Sequence, residues 1–239
     1  MADEKTIRFD GVWLEDIAPD IKIDDITVSP ISLTKTVNER PVRYGQDFVR
    51  NTGTKRTVTI TFAIINDDRD EREAQLQAVR DWAKMDKEYT LVLPHHNKRH
   101  LECVCTEQPK ASYRQWWENG LKIEFTCFNN PYWTSDDLIE AQCGATFSIG
   151  GSAPPIMTIE RRLTTAVASQ SYSNGTETMV FTRIPAGNMV IDLNNQTARI
   201  GNNSFMEYFQ PTSSFIIPKV GGRQVISGTG TVRFRERWV

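Results

Sequence analysis

The stretch Leu121–Trp133, LKIEFTCFNNPYW, decides how the chain divides. Leu121, Ile123, Phe125 and Cys127 alternate with Lys122, Glu124 and Thr126. That period of two describes a strand with one apolar and one wet face. Pro131 has no N–H to give to a ladder, so the strand ends before it. Tyr132 and Trp133 then follow where a surface loop rarely carries two large aromatics. Pro131, Tyr132 and Trp133 are therefore expected to form a wedge, packed under a domain or between two domains.

Upstream of this strand the pattern is mixed. Short strands are expected at Ile7–Phe9 and Val12–Leu14, with extended chain from Ile21 to Leu33. Residues 38–56, NERPVRYGQDFVRNTGTKR, form a basic loop or open hairpin with Arg40, Arg43, Arg50, Lys55 and Arg56 against only Glu39 and Asp47. Thr57–Ile65 is the cleanest strand, with Val58, Ile60, Phe62 and Ile64 on one face and threonines on the other. Asn66 is placed to cap a helix over 69–86, whose first turn is acidic and whose Leu76, Val79, Trp82 and Ala83 share one face. Strands return at Thr90–Leu93 and His100–Thr106, and Asn119-Gly120 marks a hairpin between Ser112–Trp117 and Leu121–Phe128. Strands, one helix and more strands describe an α+β domain.

Downstream the composition changes. GATFSIGGSAPP carries the doublets Gly150-Gly151 and Pro154-Pro155 and reads as a linker. The domains are set at 1–139 and 140–239. The second domain reads as all-β: Asn174-Gly175 and Asn194-Asn195 are hairpin turns, and Met189–Leu193 pairs with Ala198–Ile200. The final strand Thr231–Val239 puts Val232 and Phe234 on one face and Arg233 and Arg235 on the other. Short strands with frequent turns predict a β-sandwich.

Bulk properties narrow the function. The chain has 239 residues, 39% of them hydrophobic and 24% charged, which suits one large or two small globular domains. Lys plus Arg number 28 and Asp plus Glu 30, for a net charge of -2, so no global field draws the protein to nucleic acid or an anionic membrane. MADEKTIRFDG lacks an apolar core, which argues against a secretory leader. A soluble protein made in a cytoplasm is expected. Cys103, Cys105, Cys127 and Cys143 contain no C-x-x-C pair, and Cys103 and Cys105 point the same way along a strand. They read as small buried hydrophobes.

No chemistry emerges from the spacing. Glu118, Glu124, Asp136, Asp137, Glu140, Glu160, Asp192 and Glu207 include no pair selected for glycoside hydrolysis. His95, His96 and His100 occur in LPHHNKRH, where a polar turn is the simpler reading than a metal site. There is no G-x-S-x-G and no P-loop, and Gly228-Thr-Gly230 reads as a close strand approach. No catalytic, metal or cofactor-binding residues are assigned, and no enzyme is expected. Trp116, Trp117, Tyr132 and Trp133 suit packing or interface roles better than sugar stacking.

The ordered set of motifs resembles a known family. It runs FDG, a basic loop with Tyr44-Gly45, a threonine-rich strand, a helix ending in Trp, NNPYW, a Gly/Pro linker, MVIDLNNQTARIG, SSFIIPKVGG and VRFRERW. Nearly the full chain resembles the distal tail protein (Dit) of siphophages and prophages of Gram-positive bacteria. The linker FSIGGSAPPIMTI departs from a longer G-D-x-P-type run, which bears on the hinge.

The resemblance implies an α+β N-terminal domain, mostly β with one helix, followed by an all-β galectin-like β-sandwich. It implies a homohexameric ring, singly or as back-to-back rings, at the virion tail tip. That ring joins the tail tube protein to the tail-associated hub protein and docks receptor-binding or baseplate proteins. Self-association would use Arg40, Arg43, Tyr44, Arg50 and Arg56 against carboxylates of the neighbouring protomer. The protein would be made in the host cytoplasm and would bind neither membrane nor specific nucleic acid. The alternative is a carbohydrate-binding module that attaches to host cell-wall polysaccharide.

Overall fold

The computed structural model describes residues 6–39, 46–94, 96, 98–110 and 118–239, and the side chains of all of these except 33–39, 46–54 and 118–120. The chain divides into two compact units. One runs through Trp133 and includes Val239; the other is Thr134–Trp238. The division thus falls ahead of the expected 139/140, because Ile139–Gln142 is already a strand of the second unit, paired with Thr231–Phe234.

The first unit contains β1 (Arg8–Phe9), β2 (Val12–Trp13), α1 (Leu14–Ile17), β3 (Ile21–Val28), β4 (Ser32–Glu39), β5 (Gln46–Ile64), α2 (Arg69–Trp82), β6 (Tyr89–Val92), β7 (Arg99–Glu107) and β8 (Glu118–Cys127). Its antiparallel sheet has the order β3-β5-β8-β7-β6-β1-β2. The alternation read from the sequence sets its faces. Val58, Ile60 and Phe62 on β5 lie opposite Phe125, Ile123 and Leu121 on β8, and all are buried. Phe9 is the hub of the core, with its ring 5.5 Å from Trp82, 5.5 Å from Tyr89 and 4.8 Å from Phe125.

Helix α2 turns Leu76, Val79 and Trp82 inward, as the spacing predicts. Two details differ. The N-cap is Asp68, whose carboxylate accepts from the N–H of Asp70 and Glu71, while Asn66 sits one step earlier and accepts from the N–H of Asp68. The helix also stops at Trp82 instead of residue 86. The Gln108 amide donates to the carbonyls of Arg80 (2.7 Å) and Ala83 (2.9 Å), taking up acceptors that the end of a helix leaves open. That partner comes from β7's end, far along the chain, so no local signal announced it.

The expected turn at Asn119-Gly120 is not there. Both residues lie inside β8, which begins at Glu118 and pairs with Ile64 of β5. Pairing along β5 outweighs the local turn preference. Ser112–Trp117 lies outside the described residues.

The second unit contains β9 (Trp133–Ser135, beginning on the last residue of the first), β10 (Ile139–Gln142), β11 (Thr146–Ile149), β12 (Ala153–Leu163), β13 (Val167–Ser173), β14 (Thr178–Ile184), β15 (Gly187–Asp192), β16 (Thr197–Ile200), β17 (Asn203–Ser204), β18 (Gly222–Val225) and β19 (Thr231–Trp238). A main sheet β10-β19-β12-β15-β16-β17 and two ribbons, β11-β18 and β13-β14, close on a single apolar core. Met157, Ile159, Ile191, Val232 and Phe234 from the sheet meet Phe147, Tyr172, Met179 and Phe181 from the ribbons. This is the predicted β-sandwich, and the α+β-then-all-β order holds.

Both predicted hairpin turns form. Asn174 Oδ1 accepts from the N–H of Thr176 and Glu177, and Asp192 Oδ1 accepts from the N–H of Asn194 and Asn195. The Gly/Pro segment is not an interdomain linker. It holds β11 and the start of β12, both inside the second unit. A Cβ on Gly151 would stand 2.2 Å from the Arg237 carbonyl oxygen, so this glycine serves a close strand approach. Gly228 and Gly230 do the same: a Cβ there would meet the Tyr172 ring at 2.5 Å and the Glu160 carbonyl oxygen at 2.6 Å.

Candidate assembly surface

β5 is 19 residues long, and only part of it lies in the core sheet. Residues 56–64 have β8 on one side, and 58–64 have β3 on the other. From Lys55 back to Gln46 the only partner among the described residues is β4, in a ladder from Ser32↔Lys55 to Glu39↔Gln46. β3 and β4 follow the same edge of β5, with Ser29-Pro30-Ile31 between them. The hydroxyl and the N–H of Ser29 join this break to Thr57, at 2.8 Å each. A two-stranded arm therefore leaves the sheet, about ten residues or roughly 33 Å long.

Among the described residues, no further strand pairs with either edge of this ribbon. A two-stranded hairpin alone is at best marginally stable in water, and free edges are pairing surfaces. The sequence left this region as a basic loop or an open hairpin, and the antiparallel pairing of β4 with β5 is the hairpin form. Val49, Thr52 and Thr54 lead into Thr57 in the manner of a strand, yet Gly53 and the surrounding charges masked their continuity.

The expected interface residues separate. Arg40, Arg43 and Tyr44 lie outside the described residues, at the chain between β4 and β5. Arg50 is on β5 opposite Thr36, its side chain not among those described. Arg56 is different: it is only 4% exposed, at the root of the arm, opposite Cys127 of β8. Its Nε and Nη1 have no hydrogen-bond partner among the described residues. Burial lowers its pKa, and the neighbouring Cys127 and Tyr132 partly restore it. A side chain so enclosed cannot reach a neighbouring protomer, and this corrects its assignment to a contact surface.

At the strand end, Pro131 and Trp133 are buried and Tyr132 is half-buried. Trp133 stacks on His96 with ring centroids 4.3 Å apart, so the wedge is packed in the first unit. Glu88, which the sequence did not single out, fixes the approach to it. Its carboxylate accepts from the N–H of Phe128 and Asn129 and from the Asn129 side chain. Trp116, Trp117 and His95 lie outside the described residues.

The carboxylates considered for catalysis do structural work where the geometry is clear. Arg233 joins Glu140 (2.8 Å) and Glu160 (2.6 Å) across three adjacent strands. The Glu140 contact is within ion-pair range but not aligned as a hydrogen bond. Glu124 pairs with Lys122, and Asp192 shapes a turn. Among the described residues, no cluster of three or more His, Cys, Asp or Glu side chains could hold a metal ion. Among the described residues, no helix is long and apolar enough to cross a membrane.

The fold, a helix-bearing sheet followed by a β-sandwich, is shared with a solved phage protein. The crystal structure of phage SPP1 Dit (gp 19.1), described as a paradigm of the hub adsorption apparatus in phages infecting Gram-positive bacteria, matches with a TM-score of 0.78. The match covers 98% of this chain and 99% of that one at 13% sequence identity. Chains of the phage P2 baseplate in its activated conformation align at lower similarity: TM-score 0.46 and 10% identity over 92% of this chain and 91% of that one with calcium, and 0.41 and 11% over 91% and 90% with strontium. No family model matches the sequence, and no curated protein matches it.

Proposed function

We propose that this protein is the structural hub of a siphophage tail tip, a non-enzymatic subunit that closes head-to-tail into a six-membered ring. The carrying observation is the β4-β5 arm, a ribbon about 33 Å long with no further strand partner among the described residues, on the fold shared with SPP1 Dit. Docking on the next protomer gives the ribbon a second layer. Arg40, Arg43, Tyr44 and Arg50 supply the contacts there, and Arg56 anchors the arm from inside. The Pro131–Trp133 wedge marks where the chain passes from the ring-forming unit to the sandwich. The sandwich serves as the docking element for receptor-binding or baseplate proteins, and the ring joins the tail tube to the tail-associated hub in the virion.

The carbohydrate-binding alternative has less support. Aromatic platforms are the usual means of gripping sugar rings, and every aromatic ring of Thr134–Trp238 is buried or half-buried.

Light scattering over a wide concentration range tests the ring. The expected mass is six times 27.3 kDa. Arg43→Glu with Arg50→Glu lowers that mass toward one protomer while leaving the thermal unfolding of the monomer unchanged. A chain that stays monomeric at every concentration, and also when mixed with its tail tube and hub proteins, overturns the proposal.

A further inference from the structure

Four strands of the first unit place one residue each in a single row on the core face of the sheet. Arg56 on β5 lies opposite Cys127 on β8, and Cys103 on β7 lies opposite Tyr89 on β6. Val104 pairs with Thr126 in the β7-β8 ladder. One step along that ladder sets Cys103 directly opposite Cys127. Burial and the neighbouring Cys127 side chain raise the pKa of the Cys103 thiol, and both residues are fully buried. Directly opposite residues of an antiparallel pair have Cα atoms about 4.5 or about 5.5 Å apart, and both spacings suit a disulfide. The sequence comparison of Cys103 with Cys105 missed this pair, because the partners lie on different strands.

We propose that Cys103 and Cys127 form an oxidisable dithiol, closed to a cross-strand disulfide by a small peroxide, with the buried Arg56 guanidinium as its activating group. Arg56 is in the same row as Cys127, and its Nε and Nη1 have no hydrogen-bond partner among the described residues. A cation beside a thiol favours the thiolate, the reactive form. Cys127 is the thiol directly opposite Arg56, so the first attack is assigned to it.

The Cys127 thiolate attacks one oxygen of the peroxide. The O–O bond breaks, hydroxide leaves and takes up a proton as water, and Cys127 becomes a sulfenic acid. Cys103 then attacks the Cys127 sulfur and displaces a second water. Two thiols and one hydrogen peroxide thus give one disulfide and two waters. Cys127 is the fully buried last residue of β8, so the peroxide reaches it by local opening of that strand end, which breaks the Glu88 bonds to Phe128 and Asn129. The closed bond joins β7 to β8 beside the root of the arm, locking the edge from which the chain continues toward Trp133.

The test is hydrogen peroxide treatment of the folded full-length chain, followed by alkylation and non-reducing peptide mapping. The expected result is a fall from four free thiols to two, with Cys103 linked to Cys127 and Cys105 and Cys143 alkylated. Thermal unfolding should rise by roughly 5 °C or more on oxidation and return on reduction. Cys103→Ser should leave Cys127 as a sulfenic acid trapped by a 1,3-diketone. Arg56→Met should slow disulfide formation roughly tenfold. Linkage of any other pair overturns the site. So does a native chain that keeps four thiols under peroxide that oxidises the urea-unfolded chain. An unchanged rate in Arg56→Met overturns the role of the guanidinium.

Discussion

Glu88 holds Asn129 twice: its Oε1 accepts from the backbone N–H at 3.0 Å and its Oε2 from the side-chain amide at 2.8 Å. The same Oε1 accepts from the N–H of Phe128 at 2.9 Å. Glu88 sits just before β6, and Asn129 just after β8. One carboxylate therefore ties off the strand whose end delivers the chain to Pro131, Tyr132 and Trp133. Removing it leaves N–H groups to be satisfied by water. Glu88→Ala should cost about 1–2 kcal/mol. Urea unfolding followed at the first unit should show the loss as a lower midpoint with an unchanged slope.

A buried cation short of hydrogen-bond partners destabilises the fold that contains it. The Nε and Nη1 of Arg56 have none among the described residues. Replacing it with an apolar chain of similar length removes that desolvation penalty. Arg56→Met should be neutral or stabilising by about 1 kcal/mol, whereas a truncation such as Arg56→Ala opens a cavity and costs about 2 kcal/mol. Equilibrium unfolding of the two variants side by side measures the difference. A Met variant clearly less stable than the parent would mean that the guanidinium is held by a favourable interaction.

Gly228 lies against Tyr172 in the sandwich, with φ +122. A methyl group there would come within 2.5 Å of the ring and 2.8 Å of the Ser171 carbonyl oxygen. The Tyr172 hydroxyl donates to the Thr229 carbonyl oxygen at 3.1 Å, so the ring is fixed from the same side. Gly228→Ala should cost about 3 kcal/mol through strain and overpacking. Tyr172→Phe should cost about 1 kcal/mol through the lost hydrogen bond. Thermal unfolding should rank them in that order.

Asp20 gives the first unit an acid-sensitive joint. Its carboxylate accepts from the side-chain amides of Asn66 (2.7 Å) and Gln75 (2.5 Å), and these bonds lower its pKa from the ordinary 3.8. A depressed carboxylate stabilises the fold above 3.8 and loses that contribution as the pH falls below it toward the folded-state value. Asp20→Asn should therefore unfold at lower temperature than the parent near neutral pH. The gap should close as the pH falls through this range. A gap that is constant with pH would remove Asp20 ionisation from the explanation.

The residues by themselves determined the elements whose signals are local. Alternation over Val58–Ile64 and Leu121–Cys127 fixed two core strands and their inward faces, because side chains on a strand change sides at each residue. The spacing of Leu76, Val79 and Trp82 fixed α2, and the side chains of Asn174 and Asp192 fixed the turns at Asn174-Gly175 and Asn194-Asn195 through local hydrogen bonds. The motif order along the chain pointed to the fold that SPP1 Dit shares.

Tertiary structure decided whatever depended on a partner distant in sequence. Asn119-Gly120 became strand because β5 offers a ladder there, and the Gly150–Pro155 segment became part of the sandwich because Arg237 lies against it. Gln108 ended α2, Glu88 fastened the exit of β8, and Arg56 turned inward while Gln46–Lys55 paired with β4 as the arm. The opposition of Cys103 and Cys127 belongs to the same class. Register between strands is set by the sum of pairings over a whole face, and no single residue carries it.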